Sequence, residues 1–431
     1  MDLSYTTDER PGAAELLIQG LQWFAVAFPS VVIIGKVVAG VHFNGAAEQT
    51  LYLQKTAFIM GATIIFQIFS GHRMAIISGP SSILLIGVLA STGSDMNSVY
   101  SAIIAGGILL FLSGAAGLFS LLKRLFTRQV VAVVLLLIAF TLSPAIMDLI
   151  IGDAADSNPL ADIIFSLIMV SAMFCAQRLF TGFLRSTLII WFMITGSIIY
   201  SLIFPARVIA HTDAAAVSHF FSFMLPEFSF DPGVMISFFF CFLALSVNDV
   251  GSVQSMNELL GMDEQEKRVN RGLLVTGCAN ILSGCMGVIG PVSFSLSPGV
   301  IASSRCASRY AVAPAGLLLI LMSFSPALTG FAAAVPRVII GCVLLFVMSA
   351  QVSAGLSVAF EGRARFSYER GLVIGFPLIA GTIISFLPDQ VVMSFPRIIR
   401  PLLGNGFVVG IVLAIAMEHV VFRGHGKVSR D

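Results

Sequence analysis

The chain has 431 residues, of which 57% are hydrophobic and only 11% charged, with a formal net charge of +1 and a mean hydropathy of +0.96. Soluble domains carry about 25% charged residues, so this chain cannot clothe a water-facing surface and reads as an integral membrane protein. The near-neutral charge says nothing about nucleic acid and no basic tract suggests it, so no nucleic-acid partner is expected.

From the N-terminus, the first dozen residues hold acids and the next apolar stretch is long enough to span, so no cleavable signal is expected. Hydropathy predicts spans near 13–39, 51–71, 77–92, 98–121, 129–151, 159–177 and 183–204. A polar linker follows, with Arg207, His211, Asp213 and Glu227. A second set lies near 232–254, 271–288, 292–305, 309–333, 336–356, 368–387 and 399–422. The expected fold class is an all-α membrane protein of fourteen transmembrane segments, seven plus seven. The first repeat takes residues 1–205, the linker 206–231 and the second repeat 232–431.

The third member of each set is too short to cross alone, and each starts at a Gly-Pro break. Residues 77–83 read ISGPSSI and residues 289–295 read IGPVSFS. Each break leads to a similar small-residue segment, Val88–Thr92 in one half and Val300–Ser304 in the other. With the N-terminus placed in the cytoplasm, all but six of the 24 Lys and Arg fall on the cytoplasmic side. The exceptions are Lys36, Lys55, Arg207, Arg337, Arg397 and Arg400. This bias supports an even number of spans and two cytoplasmic termini. Seven is odd, so the halves enter from opposite sides, as an inverted repeat of the kind common in secondary transporters.

A helix that starts inside the membrane offers free N–H groups and a positive dipole end. Proline removes a donor and forces the preceding residue extended, while glycine permits close approach. Two short extended segments, near 75–79 and 288–292, are therefore expected to meet, with the half-helices after them pointing into one site. Ser81, Ser82, Ser293, Ser295 and Ser297 add hydroxyls that both donate and accept. The backbone N–H groups near Ser82, Ile83 and Ser297 to Gly299 are candidate ligands. The other reading of the two breaks is ordinary surface loops.

Ionisable groups inside spans are usually functional. The eighth span, with Asn248, Asp249 and Gly251, is the most loaded. Asp249 is the candidate proton-coupling group, because loss of water favours the uncharged form of a carboxylate. The alternative is a structural aspartate bonded to a neighbouring backbone or hydroxyl. Gln22 either binds substrate or holds the third span. Lys36 is expected to snorkel, Asp148, Glu418 and His419 to be solvated, and Asn280 and Gln351 to join helices. Six Cys lie in or beside apolar segments without a Cys-x-x-Cys and read as buried apolar residues. No nucleotide-binding loop and no catalytic constellation are present, so neither an ATP-driven pump nor an enzyme is expected.

Three local patterns carry a family resemblance that covers essentially the whole chain: GLQWF at 20–24, VNDVGS at 247–252 and LSPGVIASSR at 296–305. They resemble signatures of the nucleobase–cation symporter-2 family, the nucleobase–ascorbate transporters. The resemblance implies fourteen spans, a core domain of spans 1–4 and 8–11, and a gate domain of spans 5–7 and 12–14 that mediates a homodimer. It also implies a site between the broken third and tenth spans. Asn248 stands where the family shows a glutamate, Leu296 where it shows Glu or Gln, Ser297 where it shows Asn, and Ser304 where it shows Thr; Gly299 and Arg305 are kept. An amide at 248 can still pair with a ring amide, whereas Leu296 cannot.

The expected function is proton-coupled uptake of a nucleobase or related planar heterocycle by alternating access, in the bacterial inner membrane, surrounded by membrane lipid. The expected substrate-binding residues are Ser81, Ser82, Ile83, Asn248, Asp249, Leu296, Ser297, Gly299 and Gln22. No cofactor and no metal are expected; a proton or sodium gradient supplies the drive. The alternative on the same architecture is a sulfate- or bicarbonate-type anion carrier, because two facing helix N-termini suit an anion.

Overall fold

The computed structural model describes residues 3–117, 124–151, 158–204, 227–360, 368–396 and 398–422. The expected linker lies outside the described residues up to position 226. The described chain is mostly helical. Its first part runs α1 (Ala13–His42), α2 (Ala46–Phe69), β1 (Ser78–Pro80), α3 (Ser82–Ala90) and α4 (Met96–Ala115). It continues with α5 (Arg128–Thr141), α6 (Ser143–Ile151), α7 (Pro159–Leu179), α8 (Gly182–Ser186) and α9 (Leu188–Ile203). The second part runs α10 (Pro232–Leu260), α11 (Gln265–Cys285), β2 (Pro291–Ser293), α12 (Ser297–Ser304), a 3-10 turn (Arg309–Val312), α13 (Ala313–Ser323) and α14 (Pro326–Ala333). It ends with α15 (Arg337–Phe360), α16 (Tyr368–Ser385), α17 (Asp389–Ser394), α18 (Arg400–Leu403), α19 (Gly406–Ala416) and a π turn at Met417–Val421.

Local chemistry sets many of these boundaries. Asp231 caps α10, its carboxylate accepting from the N–H groups of Gly233 and Val234 at 2.9 and 3.2 Å, with Pro232 just inside the helix. Asn158 caps α7 and Asn405 caps α19 in the same way. Four predicted spans turn out to be broken. The fifth divides at Leu142, where Pro144 denies the Phe140 carbonyl its helical donor. The seventh begins with the separate α8. The eleventh bends by 94° between Ser323 and Pro326, where the Ser325 hydroxyl accepts from Leu328 N–H. The fourteenth is divided among α18, α19 and the π turn. Among the described residues, seven helices are long and apolar enough to cross a membrane, with α5 and α6 taken together as one run from Arg128 to Ile151, and the bent pair from Arg309 to Ala333 makes an eighth.

The helices pack reciprocally around one apolar core. α4 lies against α11, and α2 lies against α13. Both crossings are close enough to exclude side chains. A β carbon on Gly277 of α11 would sit 2.5 Å from the Phe111 backbone nitrogen, and one on Gly61 of α2 would sit 2.6 Å from the Gly316 carbonyl. Small residues let membrane helices approach in this way. A second group, α5, α7, α15, α16 and α19, packs mainly within itself, with α5 against α15, α16 and α19. The Lys36 ammonium donates to the carbonyls of Ala333 and Val335 at the corner between α14 and α15. Asp148 is exposed. Cys241, Cys306 and Cys342 are buried, whereas Cys175 and Cys278 are exposed.

Candidate functional site

The two Gly-Pro breaks meet. β1 pairs antiparallel with β2, with Ser78 opposite Ser293, Gly79 opposite Val292 and Pro80 opposite Pro291. Both strands are wholly buried; each begins three residues into the expected segment and ends one residue past it. The backbone pairing extends past each end: Ser81 N–H donates to Gly290 O at 3.0 Å and Phe294 N–H to Ile77 O at 2.9 Å. Glycine is required at 79, because a β carbon there would lie 2.3 Å from the Phe294 ring and 2.9 Å from Ser30 Oγ. A half-helix leaves each strand. α3 starts at Ser82, its cap Ser81 accepting from Leu84 N–H at 3.3 Å. α12 starts at Ser297 with Pro298 in its first turn. With 9 and 8 residues, they reach less than half of the roughly 30 Å hydrocarbon thickness.

A cavity of about 520 Å³ lies where these half-helices begin. Ser81, Ser82 and Ile83 line one wall; Phe294, Ser295, Leu296 and Gly299 line another. Asn248 of α10 and Gln351 of α15 supply amides, and α1 supplies Ala25, Pro29 and Ser30. Pro29 has no N–H, so the Ala25 carbonyl loses its helical donor where both residues face the cavity. A second space of about 480 Å³ adjoins it and shares Asn248, Ser295, Leu296, Gln177, Arg185, Ser186 and Gln351. This vestibule runs on past Gly251 and Ser255 of α10 and Ala354 and Ser357 of α15.

Six of the nine expected binding residues therefore line the cavity: Ser81, Ser82, Ile83, Asn248, Leu296 and Gly299. The structure places the other three one layer behind it. Asp249 is buried and bonds on both carboxylate oxygens, accepting from Ser293 N–H at 2.8 Å and from the Thr276 hydroxyl at 2.9 Å. Thr276 in turn accepts from the Gln67 amide at 2.9 Å. Asp249 thus ties α10 to β2 and α11. Asn280 helps, donating to Pro291 O at 3.0 Å; it braces a strand rather than joining two helices. The Ser297 hydroxyl donates to Phe294 O at 2.8 Å and accepts from Ile77 N–H at 3.1 Å, closing the corner between β1 and α12. The Gln22 amide donates to Ser186 Oγ at 2.7 Å, so it reaches the cavity only through Ser186. The other buried chain, Tyr52 to Ile289 N–H at 2.9 Å, supports the approach to β2 from α2.

Several lining residues escape a sequence reading. Gln177 stands at the end of the sixth predicted span and Arg185 and Ser186 in the first turn of the seventh, where polar groups read as span ends, and Gln351 reads as helix glue. The proline inside the first span was the signal for α1. Among the described residues, no cluster of His, Cys, Asp or Glu could hold a metal ion. The lining can donate and accept hydrogen bonds around a planar, partly apolar molecule, with Ile83, Phe294, Leu344 and Val347 for its faces.

Residues 14–390 match the sequence profile of a family described as Permease family, Xan_ur_permease. The chain is 25% identical to the nucleobase transporter PlUacP of Paenibacillus larvae, over 96% of this chain and 96% of the relative. It is 23% identical to the uric acid permease PucK of Bacillus subtilis, over 98% of each. Its fold is similar to the transmembrane domain of the cyanobacterial bicarbonate transporter BicA, with a TM-score of 0.64 at 14% identity, covering 93% of this chain and 97% of that one.

Proposed function

The chain belongs to the Permease family of Xan_ur_permease, the nucleobase–cation symporter-2 family, and from that membership we propose that it takes up a nucleobase by alternating access. It is a multi-pass membrane transporter and not an enzyme. The observation that carries the reading is the cavity between the first turns of α3 and α12. Backbone N–H groups, hydroxyls and the Asn248 and Gln351 amides would pair with the edge of a planar ring. The likeness to a bicarbonate transporter concerns the fold alone.

The finer architecture belongs to the same proposal. The antiparallel β1–β2 pair and the reciprocal crossings α2–α13 and α4–α11 support two halves of seven elements with inverted topology, fourteen in all. The self-contained packing of α5, α7, α15, α16 and α19 supports a gate of spans 5–7 and 12–14 moving against a core of spans 1–4 and 8–11. The gate is proposed to form a homodimer, and the protein to sit in the bacterial inner membrane with both termini inside.

Coupling to protons is assigned to Asp249. It does not face the cavity, so its effect passes through β2. As a carboxylate it accepts from Ser293 N–H and Thr276; as an acid it would donate to Thr276 instead and loosen its hold on the strand that starts α12. The test is uptake of labelled nucleobases, sulfate and bicarbonate into proteoliposomes, with and without an inward proton gradient. Nucleobase should accumulate only with the gradient, and Asp249→Asn should bind it but no longer accumulate it. Uptake of sulfate or bicarbonate without any nucleobase would overturn the reading. Gradient-driven uptake that survives in Asp249→Asn would remove the coupling assignment alone.

A further inference from the structure

The cavity and the vestibule beside it share one charged side chain. Among the described residues that line either space, Arg185 is charged and no Asp or Glu is present. Arg185 lies on the short α8, which packs against α1 and against the half-helix α12. The residue is exposed to the cavity, and no carboxylate of a described residue forms an ion pair with it. A guanidinium facing a largely apolar cavity is a strong attractor for a negative charge, and its planar fork matches two adjacent oxygens or an oxygen and a ring nitrogen.

The rest of the lining has the same sign. Both half-helices begin at the cavity and present the positive ends of their dipoles. Position 248, in the cavity wall, is an amide and not an acid, so no fixed negative charge opposes an anion. Gln177 and Gln351 add neutral donors beside Arg185. An uncharged ring gains nothing from a lone cation in the wall, whereas an anion pairs with it by a charge-assisted hydrogen bond.

We propose that the carried species is a planar heterocycle bearing one negative charge, and that Arg185 is its counter-charge and sets selectivity for the ionised over the neutral ring. This rests on the nucleobase reading and names the substrate class of that same site.

The experiment compares urate, a purine ionised at neutral pH, with hypoxanthine, which is not. Uptake into proteoliposomes would be measured at neutral pH for the full-length wild type, Arg185→Gln and Arg185→Lys, with melting temperatures as a check on folding. The wild type should favour urate. Arg185→Gln should raise the KM for urate at least about tenfold, the usual worth of a charge-assisted hydrogen bond, while leaving the KM for hypoxanthine within about twofold. Arg185→Lys should recover part of the loss. The proposal is overturned if the wild type favours hypoxanthine, or if Arg185→Gln shifts both purines alike. Uptake of uracil but of neither purine overturns the proposal alone; uptake of none of the three overturns the nucleobase reading itself, and Arg185-dependent uptake of sulfate would then assign the site to inorganic anions.

Discussion

Asn248 and Asp249 are neighbours on α10, and about 100° of helical rotation separates their side chains. Asn248 meets the cavity, whereas Asp249 meets Ser293 and Thr276 behind the strands. The two should therefore fail differently. Asn248→Leu removes a hydrogen-bonding group from the cavity wall and leaves packing intact. It should weaken nucleobase binding about tenfold or more, with little change in melting temperature, measured by ligand titration and thermal unfolding on the same sample. Asp249→Ala leaves a buried Ser293 N–H without an acceptor and should cost about 2 kcal/mol of stability. Asp249→Asn can keep both bonds if the Thr276 hydroxyl turns to accept, so it should unfold near the wild-type temperature. Equal destabilisation by Ala and Asn would mean that Asp249 is not holding β2 as the geometry requires.

At the scale of elements, the half-helices depend on what braces them. α3 and α12 are too short to be stable alone, and their strands are fixed by Asp249, Asn280, Tyr52 and the α4–α11 crossing. Gly277→Leu would force α11 away from α4 and should destabilise the fold by about 1–3 kcal/mol. A shift of that size would appear as a lower melting temperature with no loss of binding per folded molecule. The far end of α12 is strapped by the N-terminal segment. Ser4 N–H donates to Arg305 O at 2.8 Å, Ala307 N–H to Tyr5 O at 3.0 Å and Arg309 N–H to Thr7 O at 3.0 Å, while Arg309 pairs with Asp8 at 2.9 Å. Deleting residues 2–10 should therefore lower the melting temperature by a few degrees. An unchanged melting temperature would show that the strap adds nothing to the hold on α12.

For the molecule as a whole, the two connected spaces define which side of the site is open. The vestibule is walled by the later turns of α10 and α15, the ends that the distribution of Lys and Arg assigns to the cytoplasm. Ser255→Cys and Ala354→Cys, in a background without the native cysteines, should react with a membrane-impermeant thiol reagent in inside-out vesicles. Bound nucleobase should slow the reaction. Labelling only from the outer face would reverse the proposed orientation or the state of the gate.

The sequence by itself determined the class of protein, the run of apolar elements and the two places where helices start inside the protein. Those features are local: apolar length decides what can lie in lipid, and a proline without a donor after a glycine breaks a helix wherever it stands. The same locality explains the kinks that hydropathy missed, since Pro144 and Pro326 break spans whose apolar content is uninterrupted. It could mark Asn248 and Asp249 as unusual but not say which faced the cavity. Only the tertiary structure decided that, together with the entry of Arg185, Gln177 and Gln351 into the cavity and the withdrawal of Gln22 and Ser297 behind it. The facing of a helix is set by partners far away in the chain: Asp249 is turned inward by a strand 44 positions later, and α8 is seated on α1 and α12 by packing that no local pattern encodes.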